Sequence, residues 1–169
     1  MSVDADKKFL LKKVKHLVVG EIDQNLSSSL KYIGFEEFKQ SLDTEESLAL
    51  LKTSFYGFIT CTASLSPEEC RDFIIKMRGD TESLSRFSPI FVVLDKNLVS
   101  KAIIEKIRDA GATEIIVSNF GILQFKEKIF SIIENPRNFI ISRGFIGPDR
   151  RRKKIDVDAE RRKYKNKDK

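Results

Sequence analysis

The sequence predicts an α/β fold built as a five-stranded, doubly wound parallel sheet in a single domain. Short apolar runs alternate along the chain with longer segments whose apolar residues recur at helical spacing. The short runs are apolar almost throughout, as in strands that are buried on both faces of a parallel sheet. The connections between successive segments are short, which favours right-handed strand–helix–strand crossovers.

The five strands are predicted from these apolar or β-branched runs. The first is HLVVG, the third is YGFITCT and the fourth is IFVVL, and each is too short to form a stable helix of its own. The second is the weakest, because charged residues interrupt it. The predicted strands cover residues 16–20, 36–42, 56–62, 90–94 and 113–117.

The helices are predicted from periodicity and from their start and stop residues. Asp23 or Asn25 lies near the start of the first helix, where a capping side chain is expected. Pro67 opens the third helix, a position that tolerates its missing N–H group. Gly111 and Pro136 end the last two helices. The predicted helices cover residues 22–33, 44–52, 67–78, 98–110 and 123–134.

Charge divides the chain into three parts. Residues 143–169 carry 12 Lys or Arg against 5 Asp or Glu, and residues 1–16 carry 5 Lys against 2 Asp. The net charge of +6 is therefore concentrated at the ends, and the centre is mildly acidic. We predict a basic N-terminal lead over 1–15, the folded domain over 16–135, and a basic C-terminal extension over 136–169, largely disordered.

The composition argues against several functional classes. Cys61 and Cys70 lie in apolar or helical surroundings, as reduced thiols of a cytoplasmic protein do. No apolar run approaches the ~20 residues that span a membrane, so no membrane span is expected. His16 is the only histidine, which argues against a zinc site and against a Ser/His triad. We expect no enzymatic activity and no cofactor.

Five segments in this order and spacing carry a resemblance to a known family: HLVVGE, IGFEE, YGFITCTASLSP, SPIFVVL and RDAGATEIIVSNF. Together they resemble the receiver domain of response regulators, most closely the single-domain chemotaxis type. The resemblance covers about residues 16–135. It implies a receiver-type, flavodoxin-like fold, a role in two-component, phosphorelay or motility signalling, and function at the carboxyl ends of the strands.

The resemblance also locates a phosphoacceptor pocket, which we define as Gly20, Glu21, Thr62, Leu94 and Ser118. Receivers hold magnesium with an acidic pair, and the positions of this pair fall here on Gly20 and Glu21. The phospho-accepting Asp falls on Thr62 or, with a one-residue shift, on Cys61 or Ala63. The receiver hydroxyl falls on Leu94, and the Lys falls on Ser118. An acyl phosphate needs a carboxylate nucleophile, and its charge needs a cation. The sequence therefore predicts a degenerate pseudo-receiver.

Two further interpretations concern this pocket. Glu21 and Asp23 are candidates for a residual metal site, although two acids at a helix start are also what the helix dipole favours. Thr62 and Ser118 are expected to face each other across the sheet end and to form a hydrogen bond that plugs the pocket. Thr62 is also a candidate kinase target.

The C-terminal extension supplies the candidates for anion or nucleotide binding. Arginine offers two parallel donors to a phosphate group and a flat face to a base. The segment FIGPDRRR resembles the C-terminal extension of some single-domain regulators, and arginine-rich extensions behind degenerate receivers resemble effectors that bind cyclic di-guanylate. RNA is an alternative ligand, and solvated charge is the simplest interpretation. The candidates are Arg150, Arg151, Arg152, Arg161 and Arg162.

The resemblance implies that a partner docks on the surface formed by 98–110, 113–117 and 123–134, which can also form a homodimer. The leading prediction is phosphorylation-independent binding of a signalling protein, such as a histidine kinase or a motility component. A second-messenger or RNA effector and a phosphorylatable regulator with displaced chemistry are the alternatives. The charged residues expected on this surface are Lys101, Glu105, Lys106, Arg108, Lys126 and Lys128.

Overall fold

The computed structural model describes the backbone of residues 3–150, and it describes their side chains except at 3–5 and 9. A five-stranded parallel sheet runs through the centre in the order β2-β1-β3-β4-β5, which confirms the predicted fold class. Every adjacent pair is parallel. The strands are β1 (His16–Val19), β2 (Phe38–Ser41), β3 (Phe58–Cys61), β4 (Ile90–Leu94) and β5 (Glu114–Val117).

Six helices surround the sheet, and side chains of alternating strand residues pack into two apolar layers on its opposite faces. Leu17 and Val19 of β1 belong to one layer, and Val18 belongs to the other. All four residues of β1 are buried, which explains the uninterrupted apolar run in the sequence. The helices are α1 (Val3–Leu11), α2 (Gln24–Ile33), α3 (Thr44–Thr53), α4 (Pro67–Gly79), α5 (Lys101–Ala110) and α6 (Ile122–Glu134).

Side-chain caps set where the helices begin. The Asp23 carboxylate accepts a hydrogen bond from the backbone N–H of Leu26 at 2.6 Å, so α2 starts two residues later than predicted. Ser100 caps α5 in the same way, which moves its start from the predicted Leu98 to Lys101. A complete capping box between Ser66 and Glu69 opens α4.

Both basic ends contain regular structure that the sequence analysis did not predict. In the lead, α1 buries Leu11 in the layer that also holds α2 and α6. In the extension, β6 (Phe139–Ser142) and β7 (Phe145–Pro148) form an antiparallel hairpin around a two-residue turn. Disorder from residue 136 onward is therefore wrong for this hairpin. Residues 151–169 lie outside the described part of the chain.

The buried side chain of Arg78 joins the hairpin to the body of the domain. Its guanidinium donates hydrogen bonds to the carbonyl oxygens of Ser88 (2.8 Å), Gly111 (3.2 Å) and Arg86. It also lies over the ring of Phe139, 4.8 Å from the ring centroid. Burial lowers the pKa of Arg78 to about 9, so the group remains charged at neutral pH. Within residues 3–150 it forms no salt bridge, so carbonyl dipoles and an aromatic ring solvate the charge.

The single histidine is a buried core residue. The His16 imidazole lies 2.9 Å from the Thr60 hydroxyl through Nε2 and packs edge-on against Phe35. Its Nδ1 atom is buried and lacks a hydrogen-bond partner among the described residues. Desolvation by burial lowers the pKa of His16 to about 3. The imidazole is therefore neutral at physiological pH.

The described residues include no helix that is long and apolar enough to cross a bilayer.

Candidate functional site

The residues of the phosphoacceptor pocket meet at one edge of the sheet, because parallel strands end on the same side. The backbone N–H of Thr62 donates to the carbonyl of Val19 at 2.9 Å, just beyond the last paired residues of β1 and β3. Ser118 N–H donates to the Leu94 carbonyl at 2.7 Å, beyond β4 and β5. The sequence therefore located the edge of the sheet correctly.

Two hydroxyl groups occupy the space beside Gly20. The Thr62 and Ser64 hydroxyl oxygens lie 2.8 Å apart, and Ser64 also accepts a hydrogen bond from the backbone N–H of Glu21 at 2.8 Å. A Cβ atom at Gly20 would lie 2.3 Å from the Thr62 oxygen and 2.6 Å from the Ser64 oxygen. Gly20 also has a φ of +103°, which a side chain disfavours. An acidic side chain at this position therefore has no room.

The predicted hydrogen bond between Thr62 and Ser118 is not formed. Thr62 bonds to Ser64, whereas the Ser118 hydroxyl accepts a hydrogen bond from the backbone N–H of Lys96 at 3.1 Å. The physical reason is the strand order, since β4 lies between β3 and β5. Thr62 is 3% exposed, so a kinase would reach its hydroxyl only after this edge opened.

The remaining pocket positions lack the groups that bind a phosphoryl ion. Leu94 is buried in the apolar layer that α4 and α5 cover, and its side chain offers no hydrogen-bond donor or acceptor. Asp23 is engaged as the cap of α2, and Glu21 is exposed. Across residues 3–150, no three His, Cys, Asp or Glu side chains cluster closely enough to hold a metal ion together. Glu21 and Asp23 therefore remain a two-acid candidate only.

Two buried thiols lie behind the pocket, on the last residue of β3 and in α4. A hydrogen bond with the Cys70 thiol, together with burial, holds the pKa of Cys61 well above its usual range. Both side chains are closed to solvent. A nucleophilic cysteine needs an accessible thiolate, so this pair fits the role of inert core thiols that the sequence predicts.

Two residues that the sequence pattern did not indicate contact the backbone of Gly20 and Glu21. Ser64 follows Thr62 by two positions, and it links the start of the β3–α4 loop to the Glu21 backbone. Gln40 donates from its side-chain amide to the Gly20 carbonyl at 3.1 Å. The run TASLSP does carry several hydroxyls, but their partners depend on how neighbouring strand ends are placed.

Of the five candidate arginines in the extension, the structure describes Arg150, and the other four lie outside the described residues. Arg150 is the second residue after β7 and pairs through Nη1 with Asp109 of α5 at 2.7 Å. Its guanidinium lies over the Phe145 ring, 4.8 Å from the centroid. The start of the extension is therefore held against α5. The positions that lie outside are Arg151, Arg152, Arg161 and Arg162.

The predicted docking surface on α5, β5 and α6 is partly charged and partly apolar. Lys101 is solvent-exposed, whereas Lys128 forms a salt bridge with Glu114 at 2.6 Å. Leu98, Val117 and Leu123 also expose apolar side chains along this surface. Isolated exposed apolar residues are common, but these three lie on the surface where the sequence analysis expects a partner, and Val117 also lines a charged groove there. We call these three residues the apolar edge.

No protein-family model and no curated protein matches the sequence. Solved structures do match its fold. A response regulator from Chloroflexus aurantiacus has a TM-score of 0.61 at 17% identity, covering 72% of this chain and 98% of its own. A chemotaxis response regulator from Vibrio cholerae has a TM-score of 0.54 at 20% identity, covering 72% and 96%.

The third comparison is a receiver domain that retains its metal. It comes from a sensor histidine kinase of Pseudomonas aeruginosa, and it was solved with magnesium in its active-site cleft. Its TM-score is 0.56 at 16% identity, covering 70% of this chain and 94% of its own. At such identities the similarity establishes the fold. The body of this chain therefore has the receiver-type fold found in response regulators and sensor histidine kinases.

Proposed function

We propose that this chain is a degenerate receiver that acts in bacterial two-component or motility signalling by binding a partner protein, without being phosphorylated. One observation supports this most strongly: the phosphoacceptor pocket is filled by the Thr62 and Ser64 hydroxyls, which pack against Gly20. The receiver-type fold is retained while the space for its chemistry is lost.

The chemistry of receivers requires three groups at this edge of the sheet. A carboxylate must attack the phosphoryl group, acids must hold magnesium, and a lysine must offset the developing charge. Thr62, Gly20 and Ser118 occupy these positions. A threonine hydroxyl is a poor nucleophile without a base beside it, and no base lies within hydrogen-bond distance of Thr62 among the described residues. We infer that the domain is not an enzyme.

A domain that is not switched by phosphorylation can be switched by occupancy, either by a partner protein or by a ligand, and we propose a partner protein. The apolar edge, with Leu98 just before α5, Val117 in β5 and Leu123 in α6, is the surface that we assign to this partner, a signalling protein such as a histidine kinase or a motility component. Buried apolar anchors contribute most of the binding energy in protein interfaces. Leu123 is the most exposed member of the edge, at 63%.

Replacing Leu123 with aspartate is expected to weaken partner binding at least about tenfold, because it places an unpaired charge in an apolar contact. The change should not disturb α6, since an acid in the first helical turn favours the helix dipole. The measurement is affinity capture of the partner from extract of the source organism, followed by titration of the purified pair.

Leu42→Asp is the matched control. Leu42 is also 63% exposed, but it follows β2. The strands β2 and β5 are the two outermost strands, so Leu42 lies on the far side of the sheet from the apolar edge. We expect this variant to bind as the unmodified chain does. Equal loss of binding in both variants would point to a general charge effect, and full binding by Leu123→Asp would contradict the assigned surface.

The alternatives make different demands. A phosphorylatable regulator with displaced chemistry needs an acid inside the pocket, whereas Glu21 is exposed and Asp23 is engaged in capping. An effector that binds a second messenger or RNA would use the arginines of the extension, of which Arg150 is described.

A further inference from the structure

The surface between α5, β5 and α6 contains a groove of about 610 Å³ that the start of the C-terminal extension borders. We call it the Arg150 groove. Apolar side chains of α5 and β5 line part of it, and charged side chains from these elements, from α6 and from the residues that flank the hairpin line the rest. The charged side chains that line it are Arg108, Glu114, Lys128, Arg137, Asp149 and Arg150.

Positive charge exceeds negative charge in this groove, with four cations against two carboxylates. Glu114 is shared by two of the cations, since its carboxylate lies 2.6 Å from the Lys128 ammonium and 3.8 Å from the Arg137 guanidinium. Arg108 forms no ion pair with any residue that the structure describes. Arg150 pairs with Asp109 from outside the lining, so Arg108 is the groove cation whose charge no described acid offsets at ion-pair distance.

The Arg150 guanidinium has hydrogen-bond and ring contacts through one part of the group, whereas two of its nitrogen atoms have no hydrogen-bond acceptor among the described residues. Nη1 donates to Asp109, and the guanidinium plane lies over the Phe145 ring, so these two contacts restrain the group without locking it. Nε and Nη2 are buried and have no hydrogen-bond acceptor among the described residues. Buried donors without acceptors are unfavourable and call for an explanation, such as a bound ion.

These two nitrogens form one edge of the guanidinium. Their N–H groups run parallel, which is the arrangement that binds two oxygens of a single carboxylate or phosphate group. Arg150 and Arg108 line the same groove, and the two-donor edge of Arg150 has no acceptor among the described residues. Since both nitrogens are closed to water, a ligand reaches them through a shift of the Arg150 side chain, which is 27% exposed.

We propose that the Arg150 groove binds the phosphate group of a small molecule. Two phosphate oxygens accept from Nε and Nη2 of Arg150, and a third faces Arg108. A phosphate fits better than a carboxylate, because a carboxylate has no third oxygen and no second charge for the remaining cation. Arg150 also borders a more apolar cleft of about 580 Å³, lined by Ile140 and Phe145. A ligand that joins a phosphate to a flat apolar group, as a nucleotide does, would occupy both.

The test is calorimetric titration of the full chain with inorganic phosphate, pyrophosphate, AMP and GMP. Arg150→Lys keeps the charge but removes the two-donor edge, and we expect it to weaken binding of the best ligand at least tenfold. Arg108→Gln should weaken binding severalfold. Lys101→Gln is the matched control, since Lys101 lies on the same helix, is 92% exposed and does not line the groove.

Several results would overturn the proposal. One is the absence of saturable binding for every phosphate compound. Another is equal weakening in Lys101→Gln and Arg150→Lys, which would indicate general attraction between charges. Binding of an aspartate-rich peptide in place of the phosphates would reassign the groove to protein docking. Thermal unfolding of each variant checks that it is folded. The titration uses the purified chain without a partner protein, so its failure is distinguishable from a failure of partner binding.

Discussion

Replacing Arg78 with methionine is expected to lower the free energy of unfolding by about 3 kcal/mol, because it leaves three inward-facing carbonyl groups without their donor at about 1 kcal/mol each. These carbonyls belong to Arg86, Ser88 and Gly111, and they lie in the loop before β4 and in the turn before β5. Methionine fills much of the volume, so the effect reports on the lost hydrogen bonds more than on a cavity.

Urea denaturation measures this effect. Arg71→Met is the control, because Arg71 is an exposed residue of the same helix that pairs with the neighbouring Asp72. Its loss should change stability by less than about 0.5 kcal/mol. Arg78→Lys should lower the free energy of unfolding nearly as much as Arg78→Met, since an ammonium group cannot reach all three carbonyls. A stable Arg78→Met variant would show that the guanidinium does not join these segments.

His16 is expected to make the domain less stable as the pH falls. Its pKa is about 3 in the folded chain and 6.5 when exposed, so between these values the unfolded chain binds a proton that the folded chain rejects. Stability from the neutral imidazole is complete above pH 6.5 and is lost progressively down to about pH 3. The total loss is about 4–5 kcal/mol, of which about 2 kcal/mol falls between pH 7 and pH 5.

Urea unfolding at pH 7 and pH 5 measures this loss. His16 is the only histidine, so few other side chains change charge in this interval. His16→Phe removes the titrating group and should abolish most of the pH dependence. Thr60→Val removes its hydrogen-bond partner and keeps the imidazole, so the dependence should persist. An unchanged dependence in His16→Phe would mean that another group is responsible.

The sequence was sufficient to predict the sheet, because strands buried on both faces leave uninterrupted apolar runs. It was less informative about ends and edges. Asp23 was recognised as a capping candidate, yet the start of α2 still fell two residues later than predicted. The hairpin of β6 and β7 escaped prediction because its strands are four residues long and adjoin a strongly charged tail. Its stability comes from packing on α4 and α5, which is a property of the fold.

At the candidate site, too, the sequence predicted some features and not others. From residue identities alone we predict that Thr62, Leu94 and Ser118 do not support phosphoryl transfer. These identities did not indicate how the space is filled, since that depends on the order of strands in the sheet. A direct bond between Thr62 and Ser118 was expected, but β4 separates their strands, and Ser64 supplies the partner instead. The sequence therefore indicates which functional groups are present at the strand ends, but not which of them lie within hydrogen-bond distance of each other.

The central claim is that this receiver-type domain cannot carry a phosphoryl group. The most direct test is incubation of the full chain with acetyl phosphate and magnesium, followed by intact-mass measurement. A phosphorylatable chemotaxis receiver serves as the positive control. We expect no phosphoryl adduct on this chain while the control is labelled. An adduct that Thr62→Ala abolishes, or one that hydroxylamine cleaves as it does an acyl phosphate, would contradict the claim.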